Sequence, residues 1–190
     1  MRRNTIYLGL SLTLAAALPL NVQAQNAHLE WVRGGGATTQ DEATSVTTDP
    51  NGNAITVGAF HSDGTPAKQF SFIPANAHAS LAGRSGMNAY AIKTNPAGDV
   101  IWAKNFFGGG GNGTASSVKT DKDGNIYITG LFNEELDFGT VQISSKGERD
   151  IYVVKLDSNG NYIWAHGFGG DDKTDEWGVG IDVDGAGNVY

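Results

Sequence analysis

The chain has 190 residues, no cysteine and a formal charge of −7 at pH 7. Without cysteine it has no disulfide scaffold, thiolate metal site or thiol nucleophile, so its stability must come from core burial. An excess of acid repels phosphate backbones and argues against a nucleic-acid partner.

At the N-terminus Arg2 and Arg3 precede an apolar run over residues 6–20, broken only by Ser11 and Thr13, and Val22-Gln23-Ala24 is a small-x-small cleavage site. Residues 1–24 therefore predict a secretory signal peptide. The run is shorter than the ~20 residues a membrane span needs, and no later stretch is apolar enough to cross a bilayer. Losing this segment takes the formal charge from −7 to −9. The expected location is secreted, periplasmic or cell-surface.

Residues 25–190 repeat themselves. Lys93, Gly98, Ile101, Trp102 and Ala103 recur as Lys155, Gly160, Ile163, Trp164 and Ala165, at an offset of 62 residues. Thr48-Asp49-Pro50-Asn51-Gly52-Asn53 likewise recurs as Thr120-Asp121-Lys122-Asp123-Gly124-Asn125, and the pattern begins again at Asp184-Gly185-Ala186-Gly187-Asn188. The repeats span about 31–101, 102–163 and a truncated 164–190, so the chain reads as the N-terminal part of a longer array. Units of this length cannot bury a core singly and must lean on their neighbours.

No segment has a 3.6-residue apolar period; short strand patterns punctuated by Asx-Gly turns point to an all-β chain. The second repeat predicts strands near 116–121, 126–131, 150–157 and 162–167. Its turns, Asp121-Lys122-Asp123-Gly124-Asn125 and Asp157-Ser158-Asn159-Gly160-Asn161, suit tight hairpins with the glycine at positive φ. Between the second and third strands the first repeat is ten residues longer than the second. The segment 61–87 is therefore expected to be a projecting loop. Four antiparallel strands per unit, stacked face to face, describe β-propeller blades, here an incomplete ring of about two and a half repeats. Trp102 and Trp164, one per repeat, are placed to lock neighbouring sheets. Trp31 holds the corresponding place at the start, as if a last strand arrived first.

Four stretches carry a family resemblance. They are Gly124-Asn125-Ile126-Tyr127-Ile128-Thr129-Gly130, Asp150-Ile151-Tyr152-Val153-Val154-Lys155, Asn159-Gly160-Asn161-Tyr162-Ile163-Trp164-Ala165 and Phe168-Gly169-Gly170. Together they resemble the bacterial SBBP (seven-bladed beta-propeller) repeat over nearly all of residues 31–190. The first repeat departs from it, with Asn88 where Asp150 would stand and Ala54 in the place of Ile126. The resemblance implies a large exported or surface-attached protein, with no catalytic set in the repeat.

Candidate chemistry is sparse. Asp121, Asp123, Asp157 and Asn159 offer oxygens at alternate positions, as a calcium loop does. Their glycine comes fourth rather than sixth, and Phe132 and Phe168 stand where a twelfth-position glutamate belongs. Turn chemistry is the expectation and calcium the alternative; no other cofactor is expected. Residues 108–113 satisfy G-x-G-x-x-G, but a strand pattern follows where a dinucleotide fold needs a helix. Asp171, Asp172, Asp175 and Glu176 cluster beside Trp177, an arrangement suited to a sugar, a cation or an acid/base pair. His28, His61, His78 and His166 have no metal-ligand spacing.

The expected function is a non-catalytic binding or scaffold module for a protein or glycan. Two alternatives stand beside it. One is a propeller-based enzyme: a glycan hydrolase or lyase, or a quinoprotein-like dehydrogenase, whose tryptophan-docking motif Asp157-x-x-Gly160-x-x-x-Trp164 resembles. The other is a structural spacer in a large surface protein.

Overall fold

The computed structural model describes residues 34–37, 40–65, 70–73, 80–106, 112–171 and 174–190. Trp31, Asp172, His28, His78, the segment 1–24 and the glycines at 108–111 lie outside the described residues. Among the described residues all regular structure is β, and no helix is long and apolar enough to cross a membrane.

In chain order β1 (Gly34–Gly36) is followed by β2 (Asp41–Thr48), β3 (Ala54–Ser62), β4 (Phe70–Ile73), β5 (Ser80–Leu81), β6 (Gly86–Thr94) and β7 (Val100–Phe106). There follow β8 (Gly113–Thr120), β9 (Ile126–Phe132), β10 (Glu135–Asp137), β11 (Gln142–Ser144), β12 (Asp150–Leu156) and β13 (Tyr162–Phe168). Two four-stranded antiparallel meanders dominate, in the orders β2-β3-β6-β7 and β8-β9-β12-β13. They are partial propeller blades.

The expected loop 61–87 is instead partly sheet: β4 and β5 join β1 in a three-stranded sheet. Its counterpart in the second repeat forms the hairpin β10-β11. Each insert sends one leucine inward, Leu81 and Leu136, both buried. The loop expectation failed because these strands are two to four residues long, too short to show a period. Both inserts return to their sheet through one polar side chain. Asn88 accepts from Arg84 N at 3.0 Å and donates to the Arg84 and Gly86 carbonyls, both at 2.8 Å. Asp150 accepts from Lys146 N at 2.8 Å and Gly147 N at 3.3 Å. The departure from Asp to Asn in the first repeat thus keeps the same closure with different donors.

The main core lies between the two meanders. Ile55, Val57, Ala89 and Ala91 of the first meet Ala115, Val118, Ile126, Ile128, Tyr152, Val154 and Leu156 of the second. Alternation sets this up: in β12 the buried residues are Asp150, Tyr152, Val154 and Leu156, every second position, as a pleated strand requires. The alanines let backbone and large side chains interdigitate. The first strands also bond directly across the seam, Val118 N to Ser45 Oγ at 3.4 Å, Thr120 Oγ1 to the Thr48 carbonyl at 2.7 Å and Thr44 Oγ1 to the Ala115 carbonyl at 2.6 Å.

Gly58 and Gly130, which recur in sequence, face a bulge in β2 and in β8. A Cβ there would lie 2.0 Å from the Glu42 carbonyl oxygen and 1.9 Å from that of Thr114. Only glycine admits that approach.

Candidate functional site

The Asx turns are nearly identical. Asp121 Oδ1 accepts from Asp123 N and Asn125 N at 3.0 and 2.9 Å, and its Oδ2 from Asn125 Nδ2 at 2.7 Å and Tyr127 OH at 3.0 Å. Asp157 accepts from Asn159 N, Asn161 N and Asn161 Nδ2 at 2.8, 2.8 and 2.9 Å. Asp49 and Asp184 repeat the scheme. Burial pushes the Asp121 and Asp157 carboxyls up, but these hydrogen bonds outweigh it and hold both below the ordinary value. Asp123 points away and pairs with Lys122 at 2.9 Å. The turns engage their carboxylates with N–H donors and, at Asp121 and Asp184, with a tyrosine O–H, which is Asx-turn chemistry.

Above these turns two side chains cross the seam between the meanders. Lys93 on β6 and Trp102 on β7 are directly paired across the strands. Lys93 Nζ donates to the Ser158 carbonyl at 2.9 Å, and Trp102 Nε1 donates to the same oxygen at 3.3 Å. Lys93 also meets Asp49 Oδ2 at 2.8 Å, both side chains being almost fully buried. Burial alone would raise the Asp49 carboxyl, but the Lys93 ammonium and hydrogen bonds from Asn53 and Asn51 bring it down to about 2. Beneath the Trp102 ring lies Gly160, where a Cβ would be 3.1 Å from the ring atoms. Trp102 is half-buried and packs on the main core. Trp164 is also half-buried, edge-on to Tyr127 at 6.2 Å and tilted on His166 at 5.3 Å.

Of the acidic loop, Asp171, Asp175, Glu176 and Trp177 are among the described residues. Asp171 is exposed. Asp175 Oδ2 lies 3.4 Å from Arg149 Nη1, while Glu176 donates its backbone N–H to the Arg149 carbonyl at 3.0 Å. The Glu176 carboxylate accepts from Thr174 Oγ1 at 3.1 Å. Trp177 is exposed and lines a different groove, with Ile151, Val153 and Trp164.

A cleft of about 530 Å³ opens at the outer end of the seam, between β7 and the β10-β11 hairpin. Four consecutive residues of β7, Ala103 to Phe106, form one wall, and Asp137 to Thr140 another, with Tyr162 beside them. Phe138 stacks on Tyr162 at 5.8 Å and tilts onto Phe106 at 5.4 Å, giving an aromatic floor. Lys104, Asn105, Asp137 and Asn161 supply polar edges. Among the described residues β7 is the last strand of its sheet, and Asn105 on it donates to the Ala82 carbonyl just beyond β5.

Sequence reasoning gave the recurring lysines no partner and did not see the cleft. Lys93 and Lys155 recur at the repeat offset, and a lysine repeated on a strand between apolar neighbours is a signal of a paired, buried ammonium. Asp137, Phe138 and Tyr162 meet only because the insert folds back, and nothing in their spacing shows that.

No family model matches the chain. Over 134 residues, 64% of the chain, it is 29% identical to an uncharacterized WD repeat-containing protein of Acanthamoeba polyphaga mimivirus. WD repeats are four-stranded propeller blades. The chain spans about 9% of the length of that relative. The all-β fold of four-stranded antiparallel sheets is that of partial propeller blades, and this similarity points the same way.

Proposed function

We propose that the protein is a non-catalytic binding and scaffold module of propeller type whose recognition surface is the cleft between β7 and the β10-β11 hairpin. The observation that carries this reading is the cleft itself, an aromatic floor walled by β7, the last strand of its sheet among the described residues. An extended protein segment can add its backbone to such a strand, with pockets reading alternate side chains. The similarity to a WD repeat-containing protein supports the scaffold reading. Export through residues 1–24 and membership of the SBBP type, carried by the motifs 124–130 and 159–165, are parts of the same proposal.

The test is a peptide display and a glycan array on the whole chain, repeated with Tyr162→Ala and Asp137→Lys. Peptide ligands lost in both variants support the reading. Glycans alone being captured would replace the protein ligand by a sugar. Turnover of a substrate, or a cofactor absorbance band in the purified protein, would sink it in favour of an enzyme. A spacer role in a long array is the second reading, favoured by the length of the relative. An array with no ligand at this cleft would establish it.

A further inference from the structure

The clamp that joins the first meander to the second is built again on the second. Lys155 and Trp164 are paired across β12 and β13 as Lys93 and Trp102 are across β6 and β7. In the first sheet both donors end on the Ser158 carbonyl. In the second, among the described residues, Lys155 Nζ sits 3.9 Å from Asp121 and 4.8 Å above the Tyr127 ring, and neither donor meets a carbonyl. Its side chain is 20% exposed, against 6% for Lys93. Beside the pair lies an apolar groove of about 450 Å³, with Ile151, Val153 and Phe168 on one side and Trp177, Ile181 and Tyr190 of the following segment on the other, and Phe168 is 53% exposed.

What covers this face is indicated by the segment that follows. Asp182 and Tyr190 exchange backbone hydrogen bonds at 2.9 Å around the Asp184 turn, making the first hairpin of another unit. Tyr190 OH donates to Asp184 Oδ2 at 3.2 Å, as Tyr127 OH does to Asp121. Ile181 N donates to Ser117 Oγ at 3.4 Å, repeating the Val118 to Ser45 contact across the first seam at the same distance. The third unit is therefore set on the second as the second is on the first.

We propose that Lys155 and Trp164 are a receptor for one hairpin turn of that third unit, the turn joining its last two strands. The turn is of the Asx-x-x-Gly class. Its second residue presents a carbonyl oxygen to both donors, as Ser158 does, and its glycine lies under the Trp164 ring. The glycine is required because at Gly160 an added Cβ would press on the Trp102 ring. The inference concerns the assembly of the array and stands apart from any ligand in the outer cleft.

The test measures hydrogen exchange at the two indole N–H groups, assigned by nuclear magnetic resonance. In the whole chain Trp164 should exchange at least ~10-fold faster than Trp102, whose N–H is bonded; equal rates overturn the proposal. A second chain continues after Tyr190 with a copy of residues 128–168, which places Tyr190 where Tyr127 stands. There Trp164 should slow to the Trp102 rate, and Gly→Ala in the added turn should restore fast exchange. A slowed Trp164 indifferent to that alanine would refute the turn receptor. Slowing that instead follows the concentration of the unextended chain would assign the face to a second copy and overturn the chosen occupant.

Discussion

Lys93 and Trp102, side by side on neighbouring strands, converge on one atom, the carbonyl oxygen of Ser158, at 2.9 and 3.3 Å. One repeat thereby holds the next by its backbone, with a charge and a ring acting on the same turn. Removing the Trp102 ring loses the hydrogen bond, the packing on Gly160 and part of the core. We predict that Trp102→Ala costs about 3 kcal/mol in urea unfolding, whereas Trp164→Ala, which lacks the second sheet's turn, costs about 1 kcal/mol. Equal losses would contradict the seam as the source of the difference.

The same clamp makes stability depend on acid. Asp49 is held down to about 2 from an ordinary 3.8. A carboxyl depressed on folding adds stability that is complete above its unfolded value and is lost as pH falls through its folded value. The contribution, on the order of 2 kcal/mol, should be intact at pH 5 and fade between about pH 4 and pH 2. Asp49→Asn should be less stable at pH 6 and show a shallower loss over that range, read from urea midpoints. An unchanged acid slope would remove Asp49 from the account.

Two glycines with the same backbone separate strain from contact. Gly160 has φ 76° and Gly187 has φ 86°, so either alanine pays the left-handed cost of about 1–2 kcal/mol. A Cβ at Gly187 meets nothing within 4 Å, whereas at Gly160 it meets Trp102 and Lys104 at 3.1 Å. Gly160→Ala should therefore be the more damaging by about 1 kcal/mol or more, and that excess should vanish in a Trp102→Ala background. A persistent excess would place the cost elsewhere.

Asn88 and Asp150 occupy matching positions yet cannot be exchanged. Asn88 donates to two carbonyls and accepts from one N–H, while Asp150 only accepts. Asn88→Asp sets a carboxylate against the Arg84 and Gly86 carbonyls, and Asp150→Asn leaves an amide NH₂ facing N–H donors. Each swap should cost about 1–3 kcal/mol in thermal or urea unfolding, and a neutral result for either would refute the closure described above.

Much of this was legible in the residues, and the limits are physical. The turns at Asp121 and Asp157 declared themselves because an Asx side chain bonding forward and a glycine at positive φ are local chemistry. Strands with alternating burial, such as β12, were legible for the same reason. Trp102 was read as a lock between sheets from its recurrence alone. The partner on which it closes, Ser158, lies 56 residues away, and no local pattern encodes that. The acidic residues at 171–176 are neighbours along the chain, and their spacing does not say where each carboxylate turns. In space Asp175 turns to Arg149 and Glu176 to Thr174. The cleft escaped notice because Phe138 and Tyr162 come together only when the second insert folds against the seam.

The most direct measurement is amide hydrogen exchange at Val57 on β3 and Ile128 on β9, in the native chain and in Lys93→Met. If the two meanders open as one body held at the Ser158 turn, both amides report the same opening free energy, and Lys93→Met lowers both by the same amount. If Ile128 keeps its protection while Val57 loses it, the sheets fold separately and the clamp does not join them.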